Sequence, residues 1–268
     1  MFNNMTPVVK QLLIINIICY IMSLAVVPKA YDIFSMYYFE NPNFRIWQPI
    51  THMFMHSKAS LMHIFFNMFA LVSFGSVLEH FWGAKRFLIF YFVCGIGSAI
   101  LHQGVAYYEI HSQIIELTNG IFTNSDISTI LQTNIVEGDK LYLKPMVENN
   151  LALFNKLNQY EFDANSFLSV VSNAYIPAVG ASGAIYGLLV AFAFMFPNAE
   201  LAMLFIPIPI KAKYFVPLLV AFDLFSGISG SSIGGSNVAH FAHIGGALTG
   251  FILMWVWKDK KFNHNRWN

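Results

Sequence analysis

The stretch GASGAIYG, Gly180 to Gly187, opens into the apolar run LLVAFAFMF at 188–196. Glycine, alanine and serine at the mouth of an apolar helix let two helix backbones approach closely. The same stretch sets a hydroxyl, Ser182, where that helix begins, so Ser182 is either a spacer or a nucleophile. The Gly-x-Ser-x-Gly elbow of soluble hydrolases does not fit, because Ala184 stands in the place of the second glycine and no strand precedes the serine. The rest of the chain has to decide between the two readings.

Composition decides the environment first. Of 268 residues, 56% are hydrophobic, 16% aromatic and 11% charged, with a mean hydropathy of +0.55. A soluble domain carries roughly a quarter of its residues as charges, so the chain reads as a membrane protein. The net charge of +1 supplies no basic stripe to neutralise phosphates, which excludes nucleic acid as a partner. Cys19 and Cys94 both fall inside apolar runs and read as small core residues, without a disulfide framework or a cysteine metal site. The chain turns apolar from about Val8 with no charged leader, so its first apolar run is expected to be a retained span.

A spanning helix needs roughly 20 mostly apolar residues. On that criterion six spans are predicted, at about 8–27, 61–79, 85–103, 181–197, 212–228 and 239–257, the fourth and fifth short and rich in Gly or Pro. The distribution of Lys and Arg near the span ends sets the orientation. With the N-terminus inside, Lys10, Lys85, Arg86, Lys211, Lys213, Lys258, Lys260, Lys261 and Arg266 all lie on the cytoplasmic side, and both termini are predicted there.

Two outside segments are more than connectors. The first, roughly 28–60, contains YDIFSMYYFENPNFRIWQPI, whose aromatic residues suit a segment lying at headgroup level. The second, about 104–179, holds Glu109, Glu116, Asp126, Glu137, Asp139, Glu148, Glu161 and Asp163, yet its NNLALFNKLNQYEF has apolar residues at helical spacing. A structureless connection of that length would be uncommon, so helices are expected. The insertion is either a helical elaboration without a chemical role or a device for gating or docking substrate.

Chemistry enters with the last span. AHFAHIGGALTG sets His240 and His243 one turn apart near its outer end, and an imidazole inside a span is costly unless it faces protein or water. His243 is the better base, because Gly246 and Gly250 follow it at one-turn spacing and form a smooth ridge for a neighbouring helix. The second span adds HIFFN, with His63 and Asn67 on one helix face. Their side chains could donate to a developing oxyanion, a contribution of about 3–4 kcal/mol per donor in acyl transfer. Each of these groups alone would pass for packing or interhelical hydrogen bonding. Polar groups from three spans at one depth argue for a site.

With HIFFN, LEHFWGAKR (78–86), GASGAIYG and AHIGGALTG (242–250) in hand, the chain resembles the rhomboid intramembrane serine proteases. The resemblance implies an all-α polytopic membrane protein: a six-helix rhomboid-like bundle with an interfacial first loop and, here, a long helical insertion between spans three and four. The whole chain, 1–268, would be one membrane domain carrying the 104–179 insertion. It further implies Ser182 as nucleophile and His243 as general base in a dyad without a carboxylate. His63 and Asn67, with the Ser182 amide, would form the oxyanion hole. Tyr186 would pack on the His243 imidazole in place of an aspartate, Gly180 would keep the backbone clear for the substrate carbonyl, and Gly246 and Gly250 would allow close helix contact. Glu79 and Arg86 would be structural. No cofactor and no metal are implied. The partners would be single-span membrane proteins and the lipid bilayer, and the location a bacterial inner membrane.

Two departures and two rivals accompany this reading. FRIWQPITHMF separates Arg45 from Trp47, where many family members carry a Trp-Arg pair, and the insertion is longer than a minimal member needs. A metal site built from His52, His56, His63, His240 and His243 is the first rival, opposed by the lack of a neighbouring acid in the sequence. The second is a non-catalytic rhomboid-like protein that binds membrane helices.

Overall fold

The computed structural model describes residues 5–27, 29–133, 136–137, 140–141, 148, 150–159, 163–203, 206–229 and 237–257. Lys144, Asp139, Glu161 and the basic residues Lys258, Lys260, Lys261 and Arg266 lie outside the described residues.

Among the described residues, five helices are long and apolar enough to cross a membrane: α1 (Pro7–Val26), α2 (Leu61–Trp82), α3 (Ala84–Leu117), and later α8 (Ala212–Ser229) and α9, whose apolar part is His240–Trp257 within Asn237–Trp257. Between α3 and α8 come α4 (Asn124–Gln132), α5 (Leu151–Asn158), α6 (Ala164–Asn173) and α7 (Ser182–Met195). The spanning helices are apolar around most of their circumference. Ile14, Ile15 and Ile18 of α1 and Leu218, Phe222 and Phe225 of α8 are exposed, as lipid-facing positions should be.

The fourth predicted span, 181–197, differs from the expectation. α7 has 14 residues, about 21 Å at the α-helical rise, short of a hydrocarbon layer of about 30 Å. Its surroundings explain how so short a helix stays in the bundle. More than half of its residues are buried, among them Gly183, Ala184, Gly187, Leu188 and Ala191, and it packs against α3, α8, α9 and the π-helical turn of α2 at Leu71–Gly75. A helix enclosed by protein does not have to match the lipid thickness. Nor is the chain wholly helical, since Glu200–Met203 pairs antiparallel with Ile206–Lys211 and Val136–Glu137 with Lys140–Leu141.

The third span is also longer than the predicted 85–103. No proline or turn signal interrupts the pattern until Asn119-Gly120, where both residues take positive φ (49° and 73°) and the Gly120 N–H reaches back to the Ile115 carbonyl at 2.8 Å. The last turns of α3 therefore run past the predicted span and become a scaffold for the helices that follow. Ile110 and Ile114 of α3 pack with Ile127 and Ile130 of α4 and with Phe167 and Val171 of α6 in a second apolar core, separate from that of the bundle. α4 begins with a capping box, Thr123 and Asp126 exchanging side-chain and backbone hydrogen bonds. The helices expected within 104–179 are present as α4, α5 and α6.

The segment between α1 and α2 is built around Gln48 rather than around Arg45 and Trp47. Gln48 is fully buried; its Nε2 donates to the Asn43 carbonyl at 3.0 Å and its Oε1 accepts the Tyr37 N–H at 3.2 Å. Arg45 instead closes its own turn on the Pro42 and Phe44 carbonyls. On the opposite side of the bundle, Glu79 caps α1, accepting the Val8 and Val9 N–H groups at 3.0 and 2.9 Å, and the Arg86 guanidinium lies over the Trp257 ring.

Candidate active site

Helix contacts without side chains between them position the site. A methyl group on Gly246 would fall 1.8 Å from the Gly183 carbonyl oxygen, and one on Gly250 would fall 2.8 Å from the Gly187 Cα. The α7 and α9 backbones are thus in van der Waals contact, which only glycine permits. That closeness brings a residue on the first turn of α7 to a residue on the second turn of α9. Ser182 Oγ lies 3.0 Å from His243 Nε2. Tyr186, one turn further along α7, stacks on the His243 imidazole with ring centroids 4.3 Å apart and planes 9° from parallel.

The chain just before Ser182 is held by the segment between α1 and α2. Met36 and Ala178 form an antiparallel bridge, 2.9 and 2.8 Å, and the Gly180 N–H donates to the His52 carbonyl at 3.0 Å. Gly180 has φ +122°, a conformation open to glycine and strained for any other residue. A methyl group there would lie 2.9 Å from His63 Nε2 and 3.6 Å from Ser182 Oγ, so the small space above Gly180 is bordered by both. His63 Nδ1 accepts the Ser57 N–H at 3.3 Å, which leaves the proton of the neutral ring on Nε2, the nitrogen facing that space. Asn67 is buried on the same helix and donates one amide N–H to the His63 carbonyl at 2.7 Å, so its second N–H is the one left for another acceptor.

His52 and His56 belong to the supporting loop. The His52 ring contacts the Gln48 carbonyl at 2.9 Å, and the His56 ring lies 5.4 Å from that of His63. Burial pushes the His52 imidazole down to about 4, outweighing the Gln48 carbonyl. Burial, followed by the His63 ring, pushes His56 down to about 4 as well. Both rings are therefore neutral near pH 7.

No motif of the sequence singles out Asp223, and the structure sets it among these residues. It lies in the middle of α8, only 4% exposed, with Oδ1 2.6 Å from His240 Nδ1 and both oxygens 3.4 Å from His243 Nδ1. The Tyr186 hydroxyl donates to Oδ2. The expectation of histidines without a nearby acid is corrected by this contact, as is the expectation of a His243 without a carboxylate neighbour. The signal was available as an acid inside an apolar span, VAFDLF, which is costly and hence informative. Among the described residues, Asp223, His240 and His243 are the group whose donor atoms could hold a metal ion, all within 4.8 Å of one another. Two ligands on a tetrahedral zinc ion, with bonds of about 2.0–2.2 Å, sit more than about 3 Å apart, so the 2.6 Å His240–Asp223 contact is a hydrogen bond.

Bundle and site together define a polytopic helical membrane protein with a serine and a histidine in contact where two helices meet. The Rhomboid domain model matches residues 43–112 and 151–260, more than half of the chain, and the chain belongs to the rhomboid family. Residues 113–150, most of them between α3 and α5, fall outside the match. Among similar proteins, Rhomboid protease AarA of Providencia stuartii is 24% identical over 67% of this chain and 67% of its own length. Rhomboid protein 1, mitochondrial, of Saccharomyces cerevisiae is 30% identical over 30% of this chain. Presenilin-associated rhomboid-like protein, mitochondrial, of Rattus norvegicus is 32% identical over 34% of it. The chain spans about a fifth of the length of the yeast protein and a quarter of that of the rat protein.

Proposed function

We propose that the protein is an intramembrane serine endopeptidase that cleaves single-span membrane proteins near the outer face. The observation that carries this reading is the 3.0 Å contact between Ser182 Oγ and His243 Nε2, a nucleophile within hydrogen-bond reach of a base. His243 takes the Ser182 proton as Oγ attacks the scissile carbonyl, and it returns that proton to the leaving amine. The carbonyl oxygen enters the space above Gly180, where His63 Nε2–H, the free N–H of Asn67 and the Ser182 amide donate to it as it becomes negative. Water then attacks the acyl-enzyme with His243 again as base. Tyr186 keeps the imidazole in plane by stacking. Gly246 and Gly250 act only through the helix contact. Metal and cofactor have no step in this sequence.

In this reading the chain is one membrane domain into which 104–179 is set, with both termini cytoplasmic in a bacterial inner membrane. Substrates present a small P1 residue followed by residues that destabilise the helix, because an extended peptide is needed to reach the serine. The test is cleavage of a single-span substrate by purified protein in detergent, together with labelling by a serine-reactive fluorophosphonate. Ser182→Ala and His243→Ala should each lose at least ~10³-fold in cleavage. Full cleavage by either variant would end the proposal, and a biological activity indifferent to Ser182→Ala would favour a rhomboid-like protein that only binds membrane helices.

A further inference from the structure

Gln103 stands where the predicted third span ends, on the part of α3 that runs on to Leu117, and both ends of its amide hold a neighbouring backbone. Its Oε1 accepts the Phe39 N–H at 3.0 Å, and its Nε2 donates to the Tyr37 carbonyl at 2.9 Å. A backbone N–H only donates and a carbonyl only accepts, so the amide has one orientation here. Met36, one residue before Tyr37, makes the two-bond bridge to Ala178, and Ala178 lies two residues before Gly180. A second route ends at the same turn. The Tyr37 N–H goes to Gln48 Oε1 at 3.2 Å, the Gln48 carbonyl meets the His52 ring at 2.9 Å, and the His52 carbonyl accepts the Gly180 N–H at 3.0 Å. The approach to Ser182 is therefore tied through residues 36–52 to Gln103. The same helix also seats the nucleophile: a methyl group on Gly183 would fall 2.0 Å from Ser98 Oγ, so the first turn of α7 rests on α3.

We propose that Gln103 is a positioning residue for the oxyanion site, fixing the Gly180 turn against the helix on which Ser182 is seated. The inference rests on the reading of Ser182 as nucleophile and of the space above Gly180 as the place of the carbonyl oxygen. That space is narrow, since a methyl group on Gly180 would lie 2.9 Å from His63 Nε2 and 3.6 Å from Ser182 Oγ. The turn and the serine reach α3 separately, the turn through Gln103 and the serine through Gly183 and Ser98. Without the Gln103 amide, residues 37–39 lose their tie to α3, and Met36 and Ala178 can shift together relative to Ser182. A displacement of about 1 Å between reacting groups costs up to ~100-fold in rate. Gln103 holds backbone rather than the reacting atoms, so its loss falls on kcat and leaves KM.

The test uses the full chain in detergent, with kcat and KM for a single-span substrate, the rate of fluorophosphonate labelling, and hydrogen exchange at the Ala178 and Gly180 amides. Gln103→Met keeps the length of the side chain and removes both bonds. Its kcat and labelling rate should fall ~10-fold with KM changed less than about threefold. The two amides should exchange at least ~10-fold faster, while the interior of α7 keeps its protection. Gln103→Glu keeps an acceptor for the Phe39 N–H and loses the donor to Tyr37, and its kcat should fall at least about threefold. A kcat within about threefold of wild type in Gln103→Met, or a loss that falls on KM, would overturn the proposal. Protection lost throughout the bundle in both variants would assign Gln103 to stability alone and overturn it as well. Full cleavage by Ser182→Ala is a separate failure, of the serine reading itself, and shows with Gln103 intact; failure of the Gln103 proposal leaves Ser182→Ala inactive.

Discussion

The bundle around Ser182 and the small helical unit outside it are held together in opposite ways. Between α7 and α9 the backbones touch, with Gly183 against Gly246 and Gly187 against Gly250, and Ser98 of α3 fills the space beside Gly183. In the insertion, Ile114, Ile127, Ile130 and Phe167 interdigitate as they would in a small soluble domain. Lipid is as apolar as leucine, so apolar burial gives membrane helices little reason to associate, and close backbone packing has to supply it. Where apolar surface would otherwise meet water, the hydrophobic effect supplies that drive. The site lies at the backbone-tight contact, where a residue displaced by a side chain cannot return to within 3 Å of its partner.

The largest effect should come from filling that contact. Gly246→Leu places side-chain atoms where the Gly183 carbonyl now lies, and no folded, fluorophosphonate-reactive protein should be recovered, an effect of more than ~4 kcal/mol. A folded, reactive Gly246→Leu protein would mean that the helices do not meet as described.

Phe167→Ala probes the other region. Loss of this buried ring should destabilise the insertion by ~3 kcal/mol or more, read as faster hydrogen exchange in α4 and α6. Labelling of Ser182 should change by less than about tenfold; a larger loss would show that the two cores fold as one.

Acid tests the loop that joins them. His52 and His56 are held near 4 in the fold against 6.5 for an ordinary histidine. Between those values the unfolded chain binds more protons, so stability should fall as the pH drops from about 6.5 toward 4. At pH 5 the loss should be ~2 kcal/mol per histidine, seen as a lower Tm in detergent than at pH 7.5. A Tm independent of pH over that range would mean that neither ring is buried as described.

The smallest effect concerns Glu40, which is buried and accepts from Tyr38 and His111, both at 2.8 Å, and from Ser128 of α4. It ties the segment between α1 and α2 to α3 and α4. Glu40→Gln should cost ~1–2 kcal/mol, with proteolysis at the insertion rising before any change in cleavage.

Much of the bundle is legible in the chain because a membrane span announces itself by length and apolarity alone. α1, α2, α8 and α9 fall where hydropathy puts them, and the glycines of AHIGGALTG mark a close contact by their spacing. α3 outruns the predicted 85–103 because fading apolarity does not end a helix, whereas a backbone signal does, here Asn119-Gly120. A count of apolar residues cannot separate α7 from a full span, because it does not tell which of them are covered by protein. Gln48 escaped notice as an anchor because a buried glutamine has no local pattern, and Asp223 because one acid in α8 says nothing about which helices will face it.

By itself, then, the sequence determined a membrane protein, most of its spans, and the resemblance carried by Ser182, His243, His63 and Asn67, since residue type and spacing suffice for those. Which groups meet was decided only by the tertiary structure. Ser182 and His243 stand 61 positions apart, and Asp223 lies on a third helix. Their contact depends on how closely three backbones pack, a property of helices against one another that no single helix encodes.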